Sequence, residues 1–212
     1  MARPCLQPLI LAASLAWLAG PLYPARAQEA AAPATETILL IRHGEKPAAG
    51  LGQLDCQGLN RALALPAVIR AQFGVPAAIF APDPAARKPD GTGDYYYVRP
   101  LATIEPTAIT FGLPVNLAFA YDDIAGLQQA LTQPALHGKL VLVAWEHTQL
   151  VNLARHLLTS YGADPALAPS WNSHDFDGIY VIHIGAAPGH PAISFSIAHE
   201  GLNGLPAQCP KQ

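Results

Sequence analysis

The chain has 212 residues, 51% of them apolar, with 12 Lys+Arg against 15 Asp+Glu and a formal net charge of −3 at pH 7. Gly and Pro, 17 and 21 in number, stay below the level of a low-complexity chain, and charge is too sparse for a coiled coil. No basic excess draws the protein to nucleic acid or to an anionic membrane surface.

In chain order, residues 1–27 read as a secretory signal peptide. Arg3 is the positive n-region, Leu9 to Leu18 is an apolar run too short to span a bilayer, and Ala25-Arg26-Ala27 has small residues at −3 and −1 of a cleavage site. Cleavage near Ala27 removes Arg3 and Arg26 and no acidic residue, so the net charge falls from −3 to −5. The expectation is an exported protein, periplasmic or secreted, with no membrane anchor after processing. Cys5 leaves with the signal, and Cys56 and Cys209 remain as an even pair in an oxidising compartment. A disulfide between them would tie the C-terminal tail to the helix at Cys56.

Residues 28–36 are expected to form a flexible leader before a single domain spanning 37–212. Thr37 to Ile41 is a continuous apolar run, the mark of a strand buried on both faces. Further strands are predicted at 77–80, 140–144, 179–184 and 193–197, with a weaker one at 115–120 interrupted by Asn116. Helices are predicted over 56–72, bent or split at Pro66, in a short stretch around Pro106, over 123–132, and over 148–161. The last carries Leu150, Leu153, Ala154, Leu157, Leu158 and Tyr161 on one stripe. This alternation predicts an α/β three-layer sandwich with a mostly parallel central sheet flanked by helices. Residues 82–98, rich in Pro, Gly, Asp and Tyr, read as a long loop of functional interest leading to Arg99.

Ligands of open α/β sheets bind beyond the carboxyl ends of the strands. Two polar clusters fall there: Arg42-His43-Gly44-Glu45-Lys46 after the first strand, and Glu146-His147-Thr148 after strand 140–144. The helix starting behind His147 would turn free amides and its dipole toward the same rim. Arg42 and Arg99 add guanidinium groups suited to phosphate oxygens. Two arginines, two histidines and a helix N-terminus suit a phosphoryl group, and imidazole is a competent covalent nucleophile. The chemistry this points to is phosphoryl transfer, with His43 attacking in line and Arg42, Arg99 and His147 holding the equatorial oxygens. The cations are side chains, so neither metal nor cofactor is called for. His174, Asp175 and Asp177 are better explained by turn chemistry than as a metal cluster, and His183, His190 and His199 have no partner at ligand spacing. The tyrosine run 95–97 is read either as a wall of the pocket or as half-exposed packing.

At this point the sequence resembles the histidine phosphatase, or phosphoglycerate mutase-like, superfamily. The resemblance rests on Arg42-His43-Gly44 after an apolar strand. It extends to Leu54-Asp55-Cys56-Gln57-Gly58-Leu59-Asn60-Arg61-Ala62, which looks like that family's Leu-Thr-x-x-Gly-x-x-Arg-Ala pattern, to Arg99 with Thr103 four residues on, and to His147. It implies that His43 is the phosphorylated residue and that Arg42, Arg99 and His147 complete the phosphate pocket, on a sheet flanked by helices. Arg61 is read as a helix-face or loop-fixing residue. The general acid stays open. Asp122 or Asp123 would correspond to a carboxylate of many members, each also suiting a helix N-cap, and Glu146 and Glu45 are further candidates. The function implied is a metal-independent phosphomonoesterase acting on a small phosphorylated molecule, with no protein partner indicated. Two rivals stand beside it. A phosphomutase would need charge-rich ends for a bisphosphorylated primer, against the low Lys and Arg count. A non-catalytic phosphate-binding protein would lack a carboxylate near the leaving oxygen.

Overall fold

The computed structural model describes Met1, residues 35–185 and residues 192–211. The expected signal peptide and its cleavage site lie outside the described residues apart from Met1, as do most of the leader and His190. The described residues from 35 onward belong to one compact unit, Ala31–Gln212.

The strands are β1 (Glu36–Arg42), β2 (Ala78–Phe80), β3 (Arg87–Asp90), β4 (Gly93–Tyr96), β5 (Val115–Asn116), β6 (Leu140–Trp145), β7 (Gly178–Ile184) and β8 (Ile193–His199). The helices are α1 (Cys56–Gln72), α2 (Arg99–Phe111), α3 (Ile124–Leu131) and α4 (His147–Ser160). Six strands form one sheet in the order β5-β2-β6-β1-β7-β8. The pairs β5–β2, β2–β6 and β6–β1 are parallel, and β7 runs antiparallel to β1 and to β8. The predicted three-layer α/β architecture is the one observed.

Side chains alternate across the sheet, and two cores follow. Ile38 and Leu40 of β1 with Val141, Val143 and Trp145 of β6 pack against α3 and α4. Leu39 and Ile41 with Leu142 and Ala144 pack against α1 and α2. Among the described residues no helix is long and apolar enough to cross a membrane.

Several boundaries differ from the sequence expectation. Glu36, assigned to the leader, begins β1 opposite Ile184 and is buried. Its carboxyl is pushed up to about 7 by burial. Pro66 neither splits nor ends α1, which runs unbroken from an Asp55 cap whose side chain accepts from Gly58 N. The segment around Pro106 is a 13-residue helix. It ends at Gly112, whose φ of 65° is left-handed, a conformation glycine adopts without a Cβ clash. The strand expected over 115–120 stops at Asn116, because the Asn116 side chain accepts from Ala118 N and turns the chain. The expected loop 82–98 contains the β3–β4 hairpin, with Arg87 opposite Tyr96 and Asp90 opposite Gly93.

The structure joins Cys56 to Cys209 across 153 residues. Asn60 Nδ2 donates to the Pro206 and Gln208 carbonyls, so the tail is held against α1 at three points.

Candidate active site

β1 and β6 are neighbouring parallel strands that finish together: Arg42 pairs with Trp145, and His43 N donates to Trp145 O at 3.0 Å. His43 and Glu146-His147 therefore leave the sheet side by side at its carboxyl edge, although 104 residues separate the two histidines. The turn after β1 is held tightly. Gly44 N donates to Thr103 Oγ1 at 2.9 Å, and that hydroxyl donates to Arg99 O. A Cβ on Gly44 would sit 3.0 Å from Gly58 Cα, so the turn lies directly on the first turn of α1.

His43 is 2% exposed. Its Nδ1 lies 2.8 Å from Gly44 O. A carbonyl oxygen only accepts, so Nδ1 carries the proton and Nε2 keeps its lone pair. Burial, reinforced by the positive charges of Arg99 and Arg42, brings the imidazole pKa down to about 3. His43 is thus neutral at physiological pH, the state a nucleophile needs. In a ligand-free NMR titration its ring signals, assigned with a His43→Ala variant, should stay unmoved from pH 5 to 8. A midpoint near 6 would contradict this electrostatic account.

Arg42 Nη1 donates to the carbonyls of Ser173 and Asp175 at 2.6 and 3.0 Å, and its guanidinium lies 3.8 Å from the centre of the Phe176 ring. Burial lowers its pKa to about 10, which leaves it charged at neutral pH. Arg99, the first residue of α2, donates through Nη1 to Asp90 Oδ2. Asp90 is also held by Lys46 Nζ at 2.6 Å and by Gly52 N at 3.2 Å. The Nε atoms of Arg42 and Arg99 are buried with no partner among the described residues. Both guanidinium groups lie close enough to act on the His43 imidazole, and each keeps an unpartnered Nε.

His147 opens α4, with Nδ1 2.6 Å from Glu146 Oε1 but not aligned as a hydrogen bond. Glu146 caps the helix, its Oε2 accepting from Gln149 N. Burial works to raise the Glu146 pKa, but His147 and the amides of Thr148 and Gln149 outweigh it and bring it down to about 2. Glu146 is therefore an ionised cap that carries no proton to give. Glu45 is equally committed, binding Arg61 through both oxygens at 3.0 and 2.7 Å. Asp123 is exposed and caps α3 by accepting from Gly126 N. Asp122, its neighbour, is exposed. Glu45, Glu146 and Asp123 are thus each engaged in an ion pair or a helix cap.

The tyrosine run divides its roles. Tyr97 is buried, edge-on to His43 at 6.1 Å between ring centres, and 5.9 Å from Tyr121. Tyr96 is exposed, and Tyr95 hydrogen-bonds Thr92 through its hydroxyl. Two neighbours of the site escaped sequence reasoning. Phe176 lies in an irregular turn and carries no periodic signal. Lys88 sits over the Tyr97 and Tyr121 rings, 4.9 and 4.7 Å from their centres. Alternation along β3, which puts Lys88 and Asp90 on one face, is the signal that could have pointed to it.

Asp175 accepts from Asp177 N and Gly178 N, and Asp177 from Gly201 N and Leu202 N, so both carboxylates serve turns. His183 pairs with the Thr37 hydroxyl at 3.0 Å, and His199 lies 3.8 Å from Asp177.

No protein-family model matches the chain, and no curated protein matches it in sequence. Solved structures do match in fold. A mycobacterial glucosyl-3-phosphoglycerate phosphatase with inorganic phosphate is 13% identical with a TM-score of 0.51, over 77% of this chain and 95% of that one. A phosphoglycerate mutase from Plasmodium falciparum is 14% identical with a TM-score of 0.50, over 84% and 99%. A candidate phosphohistidine phosphatase SixA from Nakamurella multipartitia is 17% identical with a TM-score of 0.50, over 79% and 98%. These are structures of the histidine phosphatase superfamily, and the chain shares their fold.

Proposed function

We propose that this chain is an exported histidine phosphatase that hydrolyses a small phosphomonoester through a phosphohistidine on His43, its cations supplied by side chains. One observation carries the reading: a buried neutral imidazole, its Nε2 unprotonated, lies within the field of two buried guanidinium groups at the carboxyl edge of a parallel sheet. The fold, shared with phosphatases, supports it. Export rests on the signal-like N-terminus and on the Cys56–Cys209 disulfide, which suits an oxidising compartment.

His43 Nε2 attacks phosphorus in line while Arg42, Arg99 and His147 hold the equatorial oxygens as charge redistributes. The α4 N-terminus adds its dipole. Water then attacks phosphorus from the side the leaving group vacated, and the P–N electron pair returns to His43. A phosphate-binding protein without useful turnover is the second reading, favoured by the engagement of Glu45, Glu146 and Asp123 elsewhere.

Hydrolysis of p-nitrophenyl phosphate in EDTA, followed by acid-free denaturing capture of labelled protein, tests the proposal. Turnover unaffected by EDTA, with label stable to alkali and lost in acid, is expected. Activity abolished by EDTA and restored by a divalent cation, or saturable phosphate binding without turnover, would overturn it.

A further inference from the structure

Building on that reading, we propose that Lys88, carried over the site by the β3–β4 hairpin, is the general acid that protonates the leaving oxygen. The nucleophile lies at the bottom of the site, 2% exposed. In-line attack therefore directs the leaving group outward, toward the mouth. Lys88 is half-buried, its ammonium over Tyr97 and Tyr121. Tyr97 is the ring that meets His43 edge-on and also lies 5.0 Å from the Arg99 guanidinium. One aromatic wall thus joins the nucleophile, a phosphate-binding arginine and the lysine.

The other charged groups around the ammonium are Glu146 from the α4 cap, Arg99 from α2, Asp90 from β3, and Lys46 from the turn after β1. Each has its own partner: Glu146 with His147, Asp90 with both Arg99 and Lys46. Lys88 alone of this group has no ion pair among the described residues, so its protons are free for a ligand. Burial, with Arg99 and Lys46 adding to it, lowers its pKa and makes it a readier donor than an ordinary lysine.

The step balances. As the N–P bond to His43 Nε2 forms, the bond to the leaving oxygen breaks, and that oxygen keeps the electron pair and takes a proton from Lys88 Nζ. In the second step the neutral amine accepts a proton from the attacking water, and P–N cleavage returns the electron pair to Nε2.

The test compares benzyl phosphate, whose alkoxide leaves poorly, with p-nitrophenyl phosphate, whose phenolate leaves without help. Lys88→Met should lower kcat/KM on benzyl phosphate by about 100-fold or more, and on p-nitrophenyl phosphate by less than about ten-fold. The basic limb of the benzyl phosphate pH profile should disappear in the variant. Lys88→Arg keeps the charge but does not release its proton, so it should resemble Lys88→Met on benzyl phosphate and also serves if the methionine variant folds poorly. Equal losses on both substrates, or full benzyl phosphate activity in Lys88→Arg, would reduce Lys88 to a fixed charge and overturn the proposal. Wild-type turnover of p-nitrophenyl phosphate alone would overturn it too, leaving the phosphohistidine reading intact. Absence of both turnover and phosphoenzyme would bring down the two together.

Discussion

His43→Ala is expected to lower p-nitrophenyl phosphate hydrolysis by about 10,000-fold or more, with the fold retained, because in the proposed mechanism it removes the only side chain that bonds to phosphorus. The structural cost is modest. The imidazole is held neutral, so no buried charge loses its partner, and Arg42 and Arg99 keep their contacts to Ser173, Asp175 and Asp90. What is lost is packing against Tyr97 and Phe176 and one short contact to Gly44, a cavity cost of about 1–3 kcal/mol. Added imidazole should recover part of the activity by attacking phosphorus from the vacated space. A folded His43→Ala protein retaining a tenth of wild-type turnover would refute the assignment of the nucleophile.

The second large effect concerns stability. Arg61 is fully buried and binds three carboxylates from distant segments. They are Glu45 in the turn after β1, Glu200 after β8 at 2.5 Å, and Asp177 before β7 at 3.4 Å. Removing one member of such a buried cluster costs about 3–5 kcal/mol, because the remaining charges lose their partner. Arg61→Met should therefore lower Tm by about 10 °C for a domain of this size. The loss should depend on pH with a definite sign. Burial already pushes the Glu200 carboxyl up to about 7 even beside Arg61, and losing the cation pushes it further up. A carboxyl whose folded pKa is raised binds more protons folded than unfolded, so stability falls as pH rises through the window above its ordinary value. Thermal melts should show the variant most damaged at pH 8 and partly recovered at pH 5. A loss independent of pH would mean that Arg61 acts by packing alone. Glu45 follows Gly44 directly, so the same variant should also lose activity through the loosened His43 turn.

Arg61 and Lys88 approach the site from different elements: Arg61 holds Glu45 in the turn that carries His43, and Lys88 lies over the Tyr97 ring that meets His43. The role of Lys88 could not be assigned from the sequence. Arg61 was legible as a structural residue, because its place in the pattern with Gly58 puts it on one helix. Its partners were not, because Glu200 lies 139 residues away and ion-pair choice leaves no local periodicity. Glu45 and Glu146 looked like acids beside the site for the same reason. Proximity along the chain placed them near the histidines, but whether a carboxylate is free depends on what else folds against it.

Strands β1 and β6 were legible because burial on both faces leaves an uninterrupted apolar run. Helix α4 was legible because one buried face leaves a 3.6-residue stripe. The β3–β4 hairpin was hidden in Pro, Gly and Asp residues, which report turns better than they report strands. Pro66 and Pro106 each remove one helical hydrogen bond, yet α1 and α2 pass through them, since tertiary packing outweighs a single missing bond. The sequence alone determined the sheet, the helices and the strand ends that carry His43 and His147, since these follow from a burial period repeated every few residues. The tertiary structure alone decided the neutral state of His43, the engagement of Glu45, Glu146 and Asp123 and the placing of Lys88 over Tyr97 and Tyr121, since charge and desolvation depend on distances between segments that the chain order does not encode.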